Sequence, residues 1–142
     1  MTYQAIQEIE RLVRSFENRQ LPRSQWTHQA HLMVALWYLI HHPQSEAIER
    51  IQSGIRRYNQ AMGIESTKTS GYHETMTLFW IYKIQEVLLQ EESVHESTVA
   101  LWNQVLQRCS NPKLPLQYYS PSRLMSWQAR STWVEPDLRP LF

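Results

Sequence analysis

Three histidines and one glutamate are spaced so that they could share one piece of chemistry. His28 and His31 lie in Trp26-Thr27-His28-Gln29-Ala30-His31, and an i, i+3 separation on a helix puts two side chains on the same face. His73 and Glu74 lie in Gly71-Tyr72-His73-Glu74-Thr75. Neutral imidazoles suit zinc, nickel, iron or copper, and a mononuclear site with three protein nitrogens leaves a position open for water or substrate. Glu74 would then be a fourth ligand or a general base acting on metal-bound water. A dinuclear carboxylate site is not written here, because Glu-x-x-His pairs on two helices are missing. The plainer alternative is that these are buried histidines, satisfied by backbone and by the hydroxyls of Thr27, Thr75 and Thr77.

Whether these residues can meet depends on the helices that carry them. Scarce glycine, many leucines and glutamines and a repeated 3.6-residue periodicity predict helices throughout, with no strand signal. The first covers residues 2–16, with Ala5, Ile9, Leu12 and Phe16 on one stripe beside Ile6 and Val13. The second starts at Ser24 or Thr27, both good N-caps, and runs to His42, where Pro43 stops it. It is apolar on nearly every side through Leu32, Met33, Val34, Leu36 and Trp37, which puts it in the middle of the fold. Ser45 is expected to cap a third helix that carries Ile48, Ile51, Ile55 and Tyr58 and ends at Gly63. A fourth runs from near Tyr72 to about Gln90, with Ser70 as its cap. Ser93 with Glu96 makes a capping box for a fifth, closed by Asn111-Pro112. In an up-down bundle helices two and four run parallel. Both histidine motifs sit at N-termini, so they belong at the same end. At about 100° per residue His73 aligns with Thr77, Trp80 and Ile84 on the core side, while Glu74 lies at the flank.

The texture changes after residue 111, since five of the seven prolines fall between Pro112 and Pro140. Ser120-Pro121 reads as an N-cap followed by proline at N1, so short helical turns are expected there. An extended tail should follow, held by Trp133, Val134, Leu138, Leu141 and Phe142. Tyr118-Tyr119-Ser120 with Arg123 and Arg130 could bind a carboxylate or phosphate of a substrate. The favoured reading is that these arginines pin the tail through Glu135, Asp137 or helix-end carbonyls. Tyr72, Trp80, Tyr118, Arg123 and Arg130 complete the expected substrate-contacting set, with Trp80 as pocket wall.

Composition removes several other chemistries. Only three glycines, far apart, exclude glycine-rich phosphate loops. The lone Cys109 excludes an intramolecular disulfide and multi-cysteine zinc motifs, and it lacks the electropositive setting of a reactive thiol. The lone Asp137 excludes EF-hand loops. A net charge of +1 gives no reason to expect nucleic acid or an anionic membrane surface. The longest apolar run, Leu32 to Ile40, is about half the roughly 20 residues a bilayer span needs. The start of the chain has no signal-peptide pattern, and a cytoplasmic protein is expected.

Taken together, Trp26-Thr27-His28 with His31-Leu32, Gly71-Tyr72-His73-Glu74-Thr75, Tyr118-Tyr119-Ser120, Ala129-Arg130 and Trp133-Val134-Glu135-Pro136-Asp137-Leu138 resemble a family of small bacterial all-helical proteins. That resemblance implies a bacterial, cytoplasmic origin and no particular activity. A looser similarity of design is to DinB-like bundles, where three histidines on four helices hold a metal; here two stand on helix two and one on helix four. The expected molecule is a single all-α domain, an up-down bundle of about five helices over residues 1–111 with a proline-rich extension over 112–142. Its expected function is that of a metal-dependent small-molecule enzyme with His28, His31 and His73 as ligands and Glu74 as the catalytic group. The alternative is a non-catalytic module that binds a small ligand or another protein, and a homo-oligomer stays open.

Overall fold

The computed structural model describes residues 6–91 and 98–142. Seven α-helices follow in order: α1 Ile6–Glu17, α2 His28–His41, α3 Gln44–Ala61, α4 Glu74–Glu91, α5 Thr98–Arg108, α6 Pro121–Leu124 and α7 Trp127–Ser131, with short 3-10 turns at Arg23–Gln25 and Leu114–Gln117. There is no strand among the described residues. The all-α bundle expected from periodicity is what forms. The expected start of the first helix at residues 2–5, the Ser93–Glu96 capping box, Val94 and His95 lie outside the described residues.

The greasy helix is central. α2 touches α1, α3, α4 and α5 and buries Ala30, Leu32, Met33, Val34, Ala35, Leu36 and Tyr38. Its N-cap is Thr27, whose hydroxyl accepts from the Ala30 N–H at 3.2 Å. Around it, α1 contributes Ile9, Val13 and Phe16, and α3 contributes Ala47, Ile51, Ile55 and Tyr58. The α1–α3 approach depends on Gly54, where a Cβ would stand 3.0 Å from Phe16 Cε2.

Helix ends explain where boundaries differ from expectation. Ser45 does not cap α3. Pro43 occupies the cap position at φ −57°, ψ 152°, so its fixed φ leads the chain directly from α2 into the next helix. The far end of α3 is as expected, with Gly63 at φ +70°. Gly63 N–H donates to Gln60 O at 3.2 Å and Ile64 N–H to Asn59 O at 2.8 Å, the paired bonds of a Schellman closure. The same closure ends α1, but there the left-handed residue is Arg19 at φ 57°, without a glycine to ease it.

α4 is apolar on two sides. One side joins the main core through Leu78, Ile81, Ile84 and Val87. The other side, through Phe79, meets a second cluster of Tyr118, Tyr119, Leu124, Ala129 and Val134 from the C-terminal segment. Pro121 is the first residue of α6, as expected from Ser120-Pro121, although Ser120 makes no cap bond and instead donates through both N–H and hydroxyl to Asp137. Ser126 does cap α7, accepting from the Ala129 N–H at 3.0 Å. Most of the apolar residues expected to hold the tail do so: Trp133 and Leu141 pack against the second cluster, and Phe142 stands edge-on to Tyr82 at 5.3 Å. Val134 is buried, while Leu138 and Phe142 are 59% and 87% exposed. Backbone and hydroxyl bonds add to the fastening: Leu138 N–H to Tyr118 O at 2.9 Å, Tyr119 hydroxyl to Val134 O at 2.8 Å, and Thr75 hydroxyl to Thr132 O at 2.9 Å while accepting from Val134 N–H at 3.2 Å.

Candidate functional site

The starts of α2 and α4 do meet, and His28, His31 and His73 all line one cavity of about 460 Å³. Leu32 and Ala35 of α2 with Ile51 and Ile55 of α3 form its apolar floor, and Trp26 and Trp80 form aromatic walls. Among the described residues no Asp, Glu, Lys or Arg lines it. Its size and its few polar groups on an apolar surface are those of small-molecule sites. A wider groove of about 980 Å³ lies between the start of α2 and α5, lined by Ser24, Gln29, Asn103, Gln104 and Gln107 among others; it shares His28, Leu32 and Pro112 with the cavity. A larger share of its lining is polar than in the cavity.

The hydrogen bonds of the three imidazoles differ in kind. A carbonyl oxygen can only accept, so a ring nitrogen bonded to one carries the proton. His28 Nε2 donates to Cys109 O at 2.8 Å, and His31 Nδ1 donates to Thr27 O at 2.7 Å. The opposite nitrogen of each ring has no partner among the described residues. His73 Nε2 donates to Leu124 O at 2.8 Å, and its Nδ1 accepts the Met76 N–H at 3.1 Å. His73 precedes the first residue of α4 and bonds the amide three positions on, so its imidazole is that helix's N-cap. This is why α4 starts at Glu74 and not at Tyr72, and why Ser70 caps nothing there. Ser70 instead closes a turn with Thr67, whose hydroxyl accepts the Ser70 N–H at 3.0 Å.

Electrostatics keep all three rings neutral. Burial lowers the pKa of His28 and of His73, against the raising effect of their carbonyl partners. His31 is partly accessible, as a cavity wall is, yet protein encloses it; burial first, and the neighbouring His28 last, push it down to about 4. Rings fix the orientation of the pair on α2. Trp26 stacks on His31 at 3.7 Å between centroids, and Trp80 stands edge-on to His28 at 4.6 Å.

A three-histidine metal site with Glu74 does not fit this donor set. Both nitrogens of His73 are engaged, which leaves it no lone pair to give. Among the described residues no three His, Cys, Asp or Glu side chains are grouped to hold a metal ion. Glu74 does not line the cavity. Its carboxylate accepts from the Tyr72 hydroxyl and from Gln52 Nε2 at 3.1 and 3.2 Å, which burial and the carboxylate answer by raising the Tyr72 pKa.

Of the expected contact residues, Tyr72 and Trp80 are in the cavity wall, whereas Tyr118, Arg123 and Arg130 are not. The Tyr118 hydroxyl accepts from Lys83 Nζ at 2.6 Å. Arg123 Nε donates to Glu135 O at 2.6 Å, and Arg130 Nη1 donates to Gly71 O at 3.1 Å. Both arginines tie segments together through backbone carbonyls and not through the carboxylates of Glu135 and Asp137. Gly71 itself cannot change, since it sits at φ +88° and a Cβ would fall 2.5 Å from Glu65 O. Two cavity residues went unrecognised in the sequence, Trp26 and Asn59. Asn59 is buried on α3, four residues after Ile55 on the apolar stripe. A polar residue at that register was the available signal.

No helix among the described residues is long and apolar enough to cross a membrane. Against known proteins, no family model, no curated protein and no solved structure matches this chain.

Proposed function

We propose that the protein is a helical small-molecule-binding module whose cavity between α2, α3 and the start of α4 takes a compact, planar, uncharged ligand. The observation that carries this reading is the lining: apolar floor, indole walls, three neutral imidazoles, and no Asp, Glu, Lys or Arg among the described residues. An ionic ligand entering it would lose hydration with no opposite charge to replace it. A flat aromatic ligand would gain apolar burial and ring contacts. His73 favours this reading over a metal-dependent enzyme, since it serves helix α4 with one nitrogen and the C-terminal segment with the other.

Calorimetric titration with small planar probes tests the proposal directly, run beside an Ala35→Leu variant. Ala35 is buried in the cavity floor, and the larger side chain fills that space while α2 keeps its helix-forming character. Binding to the unmodified protein, lost in the variant at a stability change under about 1.5 kcal/mol, is the expected result. Binding that survives Ala35→Leu unchanged would place the ligand elsewhere.

A further inference from the structure

The cavity does more than offer apolar surface, because two of its imidazoles present lone pairs that no group among the described residues uses. His28 carries its proton on Nε2, held by Cys109 O, so Nδ1 is an acceptor. His31 carries its proton on Nδ1, held by Thr27 O, so Nε2 is an acceptor. Neither atom is sealed from solvent: among the described residues the buried side-chain polar atoms without a partner are Trp102 Nε1 and Arg130 Nε. Spacing of i, i+3 sets the two imidazole side chains on the same face of α2. Trp26 and Trp80 pack against the two rings and each ring is tied to a carbonyl, so the rings are ordered before any ligand arrives, which lowers the ordering cost of binding. Across the cavity the Asn59 side chain also lines the wall and makes no side-chain hydrogen bond among the described residues, and its amide can both donate and accept.

We propose that this site recognises its ligand as a hydrogen-bond donor: a planar, neutral heteroaromatic carrying two N–H or O–H groups, one directed at Nδ1 of His28 and one at Nε2 of His31, with a carbonyl or ring acceptor toward Asn59. The inference rests on the cavity being a binding site and adds the polarity of what it takes. Acceptor-only ring systems and saturated hydrocarbons of the same size are discriminated against, because they leave the two lone pairs dry and unpaired.

Three probes of nearly equal shape separate the two readings. Indene has no donor, indole has one N–H, and benzimidazolone has two N–H groups and a carbonyl. Titration calorimetry at neutral pH on the unmodified protein is expected to rank them benzimidazolone, indole, indene, with each donor worth about fivefold in Kd. His31→Phe keeps a ring against Trp26 and removes both nitrogens; it is expected to reduce the ratio of benzimidazolone to indene affinity by about fivefold. Equal affinities for all three probes in the unmodified protein would overturn donor recognition and leave the cavity a binding site. Failure of all three to bind up to their solubility would overturn the binding reading as well. The order in the unmodified protein decides by itself, so the outcome does not depend on the variant folding.

Discussion

The starts of α2 and α4 stand beside one cavity, each with a histidine in its first turn or at its cap, and they use imidazole in opposite ways. At α4, His73 caps the helix with one nitrogen and holds Leu124 of the C-terminal segment with the other. At α2 a threonine hydroxyl does the capping, which releases His28 and His31 from that task. Each then needs a single carbonyl to fix its tautomer and keeps one lone pair. The same residue type on the same cavity is therefore structural at one helix start and available for recognition at the other. What separates them is the inventory of local donors and acceptors, not their spacing.

The strongest test of this contrast removes the structural histidine. His73→Ala takes away a helix cap and strands the carbonyl of buried Leu124, a loss of about 3 kcal/mol. His31→Phe loses one hydrogen bond and keeps the ring stack, a loss of about 1 kcal/mol. Urea unfolding of the two variants should show that difference, and equal losses would dissolve the distinction. Thr75→Val extends the structural side: its hydroxyl serves both Thr132 O and Val134 N–H, and removing it should cost about 2 kcal/mol in the same assay.

Acid sharpens the contrast from the other direction. His31 is held at about 4 in the fold, below the roughly 6.5 of an exposed histidine. Between those values the unfolded chain binds a proton that the folded chain does not, so stability falls as pH drops through that window and is flat above it. His28 and His73, also lowered, act in the same sense. A loss on the order of 2 kcal/mol between pH 7 and pH 4.5 is expected from His31, measured by unfolding midpoints. His31→Phe should flatten part of that slope.

The smallest effects are spectroscopic. Nitrogen NMR of labelled histidine should find His31 as the Nδ1–H tautomer and His28 and His73 as Nε2–H; a reversed assignment at His31 would remove the proposed acceptor. Zinc titration adds a null expectation, that any uptake is unchanged by His73→Gln. A fall in zinc affinity in that variant would return His73 to a ligand set.

Much of this molecule was legible because the relevant forces are local. Thr27 as a cap, the all-round apolar α2, Gly63 as a stop and Pro121 at a helix start each follow from a few neighbouring residues. Matched depth of the two histidine motifs was also legible, since parallel helices starting at one end must bring their first turns together. The hydrogen-bond partners were not. Cys109 O and Leu124 O lie 81 and 51 residues from the histidines they hold, and no periodicity points to a backbone carbonyl at such a distance. The cap of α4 was assigned to Ser70 because hydroxyls are the usual acceptors at that position, and an imidazole doing the same work has no sequence signature. The two-sided burial of α4 was missed for a related reason, since Phe79 is covered only once the C-terminal segment folds back.

The bond between His73 and Leu124 also sets an order of events during translation. At about 5–20 residues per second, the 51 residues between them take about 3–10 s to add. Throughout that interval the nascent α4 carries a capping histidine whose second partner has not been synthesised, and for most of it Phe79 has no Tyr118 or Tyr119 to cover it. A chain that stopped short of Tyr118 would keep Phe79 uncovered and His73 without its Leu124 partner.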